Sequence, residues 1–409
     1  MLLLGMVPAS VAAEKVVLEF PSYQATEPGF AEWWKANIEQ FEAEHPNVEI
    51  KLIPAPYEAH HQTLLTRFAA NNPPDIVHLS ARYYYRFADM GWLEPLDPYL
   101  SGTDIPRAWS PLQSALTWNG KTYALMLLGY AYGLYYNEKM FEEAGIGVPS
   151  NLSELVAAAQ ALTKDTNGDG RTDQFGLEVF TAEHSSAYMF VTWMLIGNGT
   201  HWTDANGQLQ LTSSPKVQET IDLWRRIVKS GWTPEGLDDV AARKHFMAGN
   251  AAMLIDGSWV AAMVKDADPQ VRPYVKVARV PFAHVPSGPS NVIAMPASLS
   301  PEKKRLVWEF IFQLTRPENQ QAYSELTGSP APRKGAVSEE LRRSSLGMQV
   351  FAEAVAEAEV SFMPRGYEVE FAQFSDTVVR GLMRLAVTDL PTSTILAEME
   401  RELRSIRGR

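Results

Sequence analysis

Residues 120–137 read GKTYALMLLGYAYGLYYN, a long apolar and aromatic run that contains Gly129 and Gly133. These residue types are common in β-strands, whereas glycine inside a strand marks a bend or a close approach between backbones. We therefore interpret the run as extended chain that crosses from one lobe of the protein to another. Prolines cluster at residues 281–289 and 330–332 and predict two further crossings.

Strand and helix patterns alternate before the first crossing. Residues 16–20 and 75–79 are short apolar runs that predict strands. Residues 48–52 alternate as in a half-buried strand, and residues 30–41 repeat apolar side chains at helical spacing. This order predicts an α/β layer with a parallel sheet, in which ligands bind at the carboxyl ends of the strands. Further helices are predicted at residues 151–162, 184–196, 215–229, 239–248, 302–314, 338–343, 346–359, 367–386 and 391–407.

Length and composition limit the class of protein. A single core rarely grows beyond roughly 250–300 residues, so a chain of 409 residues is expected to form two lobes. The net charge of −12 argues against a nucleic-acid partner, because nucleic-acid binders carry a basic patch. The sequence contains no cysteine, so it offers no disulfide, no thiolate nucleophile, no cysteine metal site and no cysteine for a lipid anchor.

The first residues indicate export. Residues 1–8 are apolar, and residues 11–13 (Val-Ala-Ala) place small side chains before Glu14, as at the cleavage site of a secretory signal peptide. We interpret residues 1–13 as the remnant of such a peptide, with a buried N-terminal strand as the alternative. After Glu14 no apolar stretch approaches the roughly 18–20 residues that span a bilayer. We therefore expect a periplasmic protein without a lipid anchor.

Short motifs recur along the rest of the chain in a defined order. They are NPPDIV (72–77), GWLEPL (91–96), NGKTYA (119–124), GLYYN (133–137), FMAGNAAM (246–253), GSW (257–259) and RPENQ (316–320). In this order they resemble the extracellular solute-binding proteins of carbohydrate importers, the group that includes maltose-binding protein. Each motif alone is a weak signal, whereas the ordered series is specific and covers nearly the whole chain after residue 13.

The resemblance implies a type II periplasmic-binding-protein fold, in which two α/β lobes are joined by three hinge crossings and close on a ligand. It places the N-lobe at residues 14–128 and 283–329, and the C-lobe at residues 129–282 and 330–409. The implied function is to capture a carbohydrate between the lobes, as a monomer, and to deliver it to the transmembrane subunits of an ABC importer.

The resemblance also implies a set of ligand contacts. Trp259 resembles the tryptophan on which a sugar ring stacks, and this is the most specific match. A pyranose has an apolar C–H face that an aromatic plane covers, while polar side chains satisfy its hydroxyl groups. Two alternatives stay open: Tyr83 belongs to a helix that turns it into the core, and Arg365 is a surface arginine at a helix start. The implied contacts are Tyr23, Gln24, Ser80, Arg82, Tyr83, Tyr130, Tyr132, Trp259 and Arg365.

Two other functions remain as alternatives. Arg82 and Arg365 would suit an anionic polyol ester such as a glycerophosphate, or a sulfo-sugar, because arginine binds such groups in bidentate fashion. A secreted polysaccharide-active enzyme would need two carboxyl groups about 5–10 Å apart. No acid is a clear catalytic candidate, and no hydrolase, metalloprotease or phosphate-loop motif is present. We therefore predict a binding protein without catalytic residues and without an organic cofactor.

Residues 165–173 read DTNGDGRTD and match the first part of a calcium-binding loop. Position 12 of the loop is Gly176, so the bidentate glutamate is missing. The sequence therefore leaves two alternatives, a structural calcium site and a turn built from Asn-Gly and Asp-Gly pairs. The oxygen-bearing side chains at loop positions 1, 3, 5 and 9 are those of Asp165, Asn167, Asp169 and Asp173.

Overall fold

The computed structural model describes residues 15–129, 131–356 and 360–407. The predicted signal-peptide remnant and Tyr130 lie outside the described residues. The strands are β1 (Val16–Ser22), β2 (Val48–Pro54), β3 (Val77–Ser80), β4 (Thr117–Trp118), β5 (Lys121–Thr122), β6 (Leu125–Gly129), β7 (Tyr132–Asn137), β8 (Met253–Gly257), β9 (Val275–Ala278), β10 (Pro286–Ser287), β11 (Pro289–Ala294) and β12 (Val360–Ser361).

Helices make up most of the remaining chain. The α-helices are α1 (Phe30–Glu44), α2 (Tyr57–Ala69), α3 (Ala81–Asp89), α4 (Asp97–Leu100), α5 (Ile105–Ala108), α6 (Glu138–Ala144), α7 (Leu152–Leu162), α8 (Ser185–Gly197), α9 (Pro215–Lys229), α10 (Asp239–Met247), α11 (Pro301–Leu314), α12 (Pro317–Thr327), α13 (Glu339–Ser344), α14 (Met348–Ala356), α15 (Phe371–Val387) and α16 (Thr392–Ile406). Shorter 3-10 helices cover Tyr23–Thr26, Pro111–Leu116, Ser258–Asp266 and Arg272–Tyr274. Within the described ranges, no helix is both long and apolar enough to cross a membrane.

The first lobe is built on two sets of strands. β1 and β2 pair in parallel, and β11 lies antiparallel between β3 and β6. The backbone N–H groups of Asp75 and Ile76 donate to the carbonyl of Glu19, which joins β1 to the chain that enters β3. Helix α1 buries one apolar face against α11 and α12. The rings of Phe41 and Phe310, for example, lie 5.4 Å apart in this layer.

The second lobe is built on β7, which lies antiparallel between β8 and β9. Phe175 and Glu178 extend this layer through parallel bridges beside β8. Helices α8, α9, α15 and α16 pack on one another in this lobe. Helix α8 has an almost entirely apolar sequence and is buried on nearly all sides, whereas α9 is amphipathic and buries one face.

The strand pairings and backbone hydrogen bonds indicate where the chain passes between the lobes. β6 belongs to the first lobe and β7 to the second, so the first passage lies within residues 129–132. The chain returns between the end of β9 and the start of β11. Beyond α12, the backbone at Pro332 and Lys334 still bonds to the first lobe, and α14 then packs on β7. The last passage therefore lies beyond the predicted boundary at residue 330.

One glycine shows how closely the second lobe is packed. A Cβ atom on Gly176 would lie 1.9 Å from the carbonyl oxygen of Ala159, which belongs to the backbone of α7 and cannot rotate away. We expect Gly176→Ala to lower the free energy of unfolding by about 1–3 kcal/mol, because the helix or the strand-like segment must shift. Urea unfolding measures the change.

Gly147→Ala is the matched control. A Cβ atom at Gly147 would meet no atom within 4 Å, and its backbone is not in the left-handed region. We expect this variant to unfold at the wild-type urea midpoint. Equal midpoints for the two variants would contradict the packing of Gly176 against α7.

Candidate ligand-binding cleft

A cavity of about 350 Å³ lies between the two lobes and takes side chains from both. Small-molecule sites in proteins usually measure about 300–1,000 Å³, so the cavity is large enough for a ligand of monosaccharide size. The first lobe contributes the 3-10 helix after β1, the start of α2, the start of α3 and β11. The second lobe contributes the starts of α8 and α10 and the 3-10 helix after β8.

The wall that follows β1 is fixed by hydrogen bonds and ring stacking. The hydroxyl of Ser22 accepts from the backbone N–H of Gln24 at 3.2 Å and so caps the 3-10 helix. The hydroxyl of Tyr23 donates to the side-chain oxygen of Asn291 on β11. The ring of Tyr23 stacks on His78 with centroids 4.5 Å apart. Tyr23 and Gln24 both line the cavity, as the sequence predicts.

The segment after β3 is a helix, and this decides which of its side chains meet the cavity. Ser80 and Arg82 line it. The guanidinium of Arg82 donates to the hydroxyl of Tyr57 and lies 5.6 Å from the centroid of that ring. Tyr83 stacks instead on His61, with centroids 4.2 Å apart, and is not among the described residues that line the cavity. One helical step rotates Tyr83 away from Arg82 and out of the cavity wall, and its contact with a ligand stays an untested prediction.

Trp259 lies on the second-lobe wall directly after β8. It stands over Gly257, where a Cβ atom would lie 2.2 Å from the indole ring, so glycine is needed at that position. Tyr132 meets Trp259 edge-on, with centroids 5.8 Å apart, and packs against Trp193 at 4.2 Å. Trp259 lines the cavity as predicted. Tyr132 is buried behind it and, among the described residues, supports the tryptophan from behind and does not line the cavity.

An ionic cluster on the second lobe was not predicted from the sequence. Arg243 on α10 donates to Asp256 at the end of β8, with Nε to Oδ2 at 2.7 Å, and to Asp239 one helical turn earlier, with Nη1 to Oδ2 at 2.9 Å. Asp256 is fully buried, and burial raises the pKa of its carboxyl while Arg243 opposes that rise. The four-residue spacing of Asp239 and Arg243 could have predicted an ion pair on one face of the helix. Both residues line the cavity.

Glu27 is the first-lobe acid that faces this cluster. It follows the 3-10 helix and lines the cavity with Arg243 and Asp239. Burial raises the pKa of the Glu27 carboxyl to about 7, Arg243 acts against this rise, and Asp239 adds to it. The cavity thus has an acidic side that spans both lobes.

Comparison with known proteins identifies the family. The family model described as bacterial extracellular solute-binding protein matches residues 36–345. The chain belongs to this family. A Brucella abortus protein that carries the name of a binding protein, with no ligand stated, is 29% identical over 320 residues, which cover 75% of this chain and 74% of the relative.

Solved structures agree on the fold of this solute-binding protein. An ABC transporter solute-binding protein from Thermotoga lettingae, bound to α-D-tagatose, superposes with a TM-score of 0.84 at 20% identity and covers 97% of this chain and 100% of its own. Another from Agrobacterium radiobacter, in complex with ribitol, gives a TM-score of 0.81 at 18% identity and covers 96% of this chain and 99% of its own. These matches confirm the predicted two-lobed α/β fold.

Arg365 lies away from the cleft of this solute-binding protein. Its side chain is exposed, and its Nη1 donates to the carbonyl of Ala205 at 2.8 Å. It is not among the described residues that line the cavity. The turn before α15 packs against the 204–207 turn of the second lobe and holds Arg365 there, so that its contact with a ligand stays an untested prediction. Its position agrees with the alternative that Arg365 is a surface arginine near the start of a helix.

The 165–173 loop of the solute-binding protein is held by its own backbone. The carboxylate of Asp165 accepts from the N–H groups of Gly168 and Gly170, each at 2.7 Å, and that of Asp173 accepts from Thr166 at 2.8 Å. Asn167 and Asp169 accept in the same way from residues two positions on. No group of three or more His, Asp or Glu side chains is arranged to hold a metal ion in the described part of the chain.

We therefore expect calcium to have no effect on the stability of the protein. The loop is already held by hydrogen bonds from its own backbone N–H groups, and Gly176 stands where a calcium loop has its bidentate glutamate. We expect the same melting temperature in calcium and in EDTA, and no heat on titration of calcium into chelated protein. A calcium-dependent rise in melting temperature that is lost in Asp165→Asn would show instead that the loop rearranges into a cation site.

Buried histidines behind the first-lobe wall make this lobe sensitive to acid. The Nδ1–H of His61 donates to the carbonyl of Tyr57 at 2.9 Å, and its Nε2 accepts from the N–H of Ser80 at 3.0 Å, so the ring is neutral. Burial lowers the pKa of His61 and of His78 well below their ordinary values. The unfolded chain takes up protons near pH 6.5 and the folded chain does not, so stability is full above pH 6.5 and falls below it.

The free energy of unfolding is expected to fall between pH 7.5 and pH 5. We expect this fall to be about 1–2 kcal/mol smaller in His61→Gln, because one histidine with a lowered pKa is removed. Urea midpoints at the two pH values measure this loss. The exposed His284 is the control, and His284→Gln should keep the wild-type pH dependence. Parallel pH profiles for wild type and His61→Gln would rule out a contribution from His61.

Proposed function

We propose that this solute-binding protein works in the periplasm as the ligand-capturing component of an ABC importer. It binds a carbohydrate or a polyol between its lobes and presents the closed, loaded form to the transmembrane subunits. The observation that carries this proposal is the interlobe cavity, which combines the aromatic face of Trp259 with hydroxyl, amide and guanidinium groups. Aromatic faces and such polar groups are what a polyhydroxylated ligand needs when it leaves water.

The two solved structures named above support a sugar or a polyol as the ligand. They were solved with a ketohexose and with a pentitol. A similar solved structure from Mycobacterium tuberculosis contains glycerophosphocholine and keeps the anionic alternative in view. Against that alternative, Arg365 lies outside the cavity and Arg243 is bonded to two carboxylates. Arg82 remains in the cavity, where Tyr57 holds it. We therefore propose a ligand without a phosphate or sulfonate group.

We further propose that the protein carries out no reaction on its ligand. Asp239 is bonded to Arg243, so its carboxylate is held in an ion pair and is not a free general base. The members of the family are binding proteins. Incubation with the ligand and with oligosaccharides should yield no new reducing ends. Release of reducing ends that is lost in Glu27→Gln would favour the enzyme alternative.

A thermal-shift screen tests the proposed function. The panel contains hexoses, pentitols, hexitols, disaccharides and amino derivatives of each, with glycerol 3-phosphate as the anionic probe. We expect at least one sugar, polyol or amino derivative to raise the melting temperature, since a ligand that binds only the folded state stabilises it. Stabilisation by glycerol 3-phosphate alone would contradict the proposal.

A further inference from the structure

The charges that line the cavity do not balance. Its carboxylates are those of Glu27, Asp238 and Asp239, and its guanidinium groups are those of Arg82 and Arg243. Arg243 also binds the buried Asp256 beneath the wall. On the side of the cavity around α10, the one guanidinium of Arg243 faces Glu27, Asp239 and Asp256. His184 also lines this side, with Nδ1 3.7 Å from Oδ1 of Asp239, so the carboxylates are in excess while its imidazole is neutral.

Glu27 is the acid through which this negative charge faces the cavity. It forms no ion pair with any described residue, and Gln24 is the group that hydrogen-bonds to its carboxyl. Tyr323 on α12 also lies close enough for the Glu27 charge to raise the pKa of its hydroxyl. Glu27 is partly exposed to the cavity, and Arg243, whose charge lowers the pKa of Glu27, is already bonded to Asp239 and Asp256. A largely buried carboxylate is normally paired or protonated. The group that can pair with it from the open side is the ligand.

The part of the cavity wall around Arg82 has a different character. Arg82 is held there by Tyr57 and by the hydroxyl of Ser80, which it reaches from Nε at 3.4 Å. A guanidinium donates hydrogen bonds and accepts none. It therefore suits hydroxyl or carbonyl oxygens of a ligand and repels an ammonium group. The acidic groups and Arg82 together would suit a ligand that carries both a cationic group and hydroxyl groups.

We propose that the cleft selects a sugar or polyol that carries a protonated amine, with the ammonium group bound by Glu27 and Asp239. This inference rests on the proposed function, because it names the chemical class of ligand for the same cleft. Charge-assisted hydrogen bonds from an ammonium group to carboxylates are about twice as strong as neutral ones. The ammonium group would supply the positive charge that the acidic side of the cavity lacks.

Calorimetry at pH 7 on matched pairs tests the inference. The pairs are glucosamine with glucose, galactosamine with galactose, and 1-amino-1-deoxysorbitol with sorbitol. In any pair that binds, we expect the amine to bind roughly tenfold or more tightly than its neutral partner. N-Acetylglucosamine, which is neutral, should behave like glucose.

Glu27→Gln removes the charge and keeps the shape of the side chain. We expect the ratio of amine affinity to neutral-partner affinity to fall to about threefold or less. Glu219→Gln, on the exposed face of α9, is the matched control and should keep the full preference. If Glu27→Gln does not fold, the wild-type affinity ratios still decide.

The possible failures are distinguishable. Neutral partners that bind as tightly as the amines, or more tightly, overturn the amine selection and leave the proposed function intact. A preference that survives in Glu27→Gln overturns the role of Glu27. If no sugar, polyol or amine binds, the amine selection and the proposed function both fail.

Discussion

Trp259→Ala lowers the affinity for the panel ligand by about 30- to 100-fold. The indole lines the cavity and is positioned by Gly257 beneath it and by Tyr132 behind it. Its removal takes away the flat apolar surface that covers one face of the ligand. The loss of about 2–3 kcal/mol of buried apolar contact corresponds to that change in affinity. Calorimetry with the ligand found in the screen measures it.

Two variants control for general effects of losing a tryptophan. Trp259→Phe keeps an aromatic face and should retain most of the affinity. Trp118→Ala removes a half-buried tryptophan that packs edge-on to Tyr85 in the first lobe, with centroids 5.6 Å apart. It should bind ligand as the wild type does, even if it is less stable. A Trp259→Ala protein whose affinity is within about threefold of wild type would contradict ligand stacking on this residue.

Asp256→Ala is expected to have the largest effect on stability. Its carboxylate accepts hydrogen bonds from Nε and Nη2 of Arg243, at 2.7 and 3.2 Å, and from the backbone N–H of Gly257 at 2.7 Å. Without it, a largely buried guanidinium keeps only the bond to Asp239. Breaking one side of a buried ion pair costs about 3–5 kcal/mol. Urea unfolding followed by circular dichroism should show the loss.

Asp389→Ala is the control for the loss of an ion pair. Asp389 bonds to Lys229 at 2.5 Å, but its side chain is fully exposed. Pairs of this kind contribute little to stability, and the midpoint should not move. If Asp256→Ala unfolded at the same urea concentration as Asp389→Ala, the buried cluster would not stabilise the second lobe.

Local patterns predicted the helices well where the pattern itself was unambiguous. The helix expected at 215–229 is α9 with the same bounds, because Pro215 starts it and apolar side chains recur on one face. The first strand, by contrast, was predicted to cover residues 16–20, yet β1 continues to Ser22 and pairs Pro21 with Ile53 of β2. A strand tolerates proline where no ladder hydrogen bond is needed, and sequence alone does not show which positions those are.

The cleft was predictable only in part. Motif order placed Trp259 and the residues around Tyr23 and Arg82 at the cavity. Glu27 and Arg243 were missed, because they are more than 200 residues apart in sequence and meet only when the lobes face each other. Tyr83 and Arg365 were placed by motif position alone, which carries no information about the direction of a side chain.

Small-angle X-ray scattering tests most directly whether the lobes close on a ligand. The protein is measured alone, with the sugar, polyol or amine found in the screen, and with a sugar that does not bind. We predict that the binding compound lowers the radius of gyration of the wild type, that the non-binding sugar does not, and that Trp259→Ala needs a much higher ligand concentration for the same change. An unchanged scattering profile at saturating ligand would contradict capture by closure of the interlobe cleft.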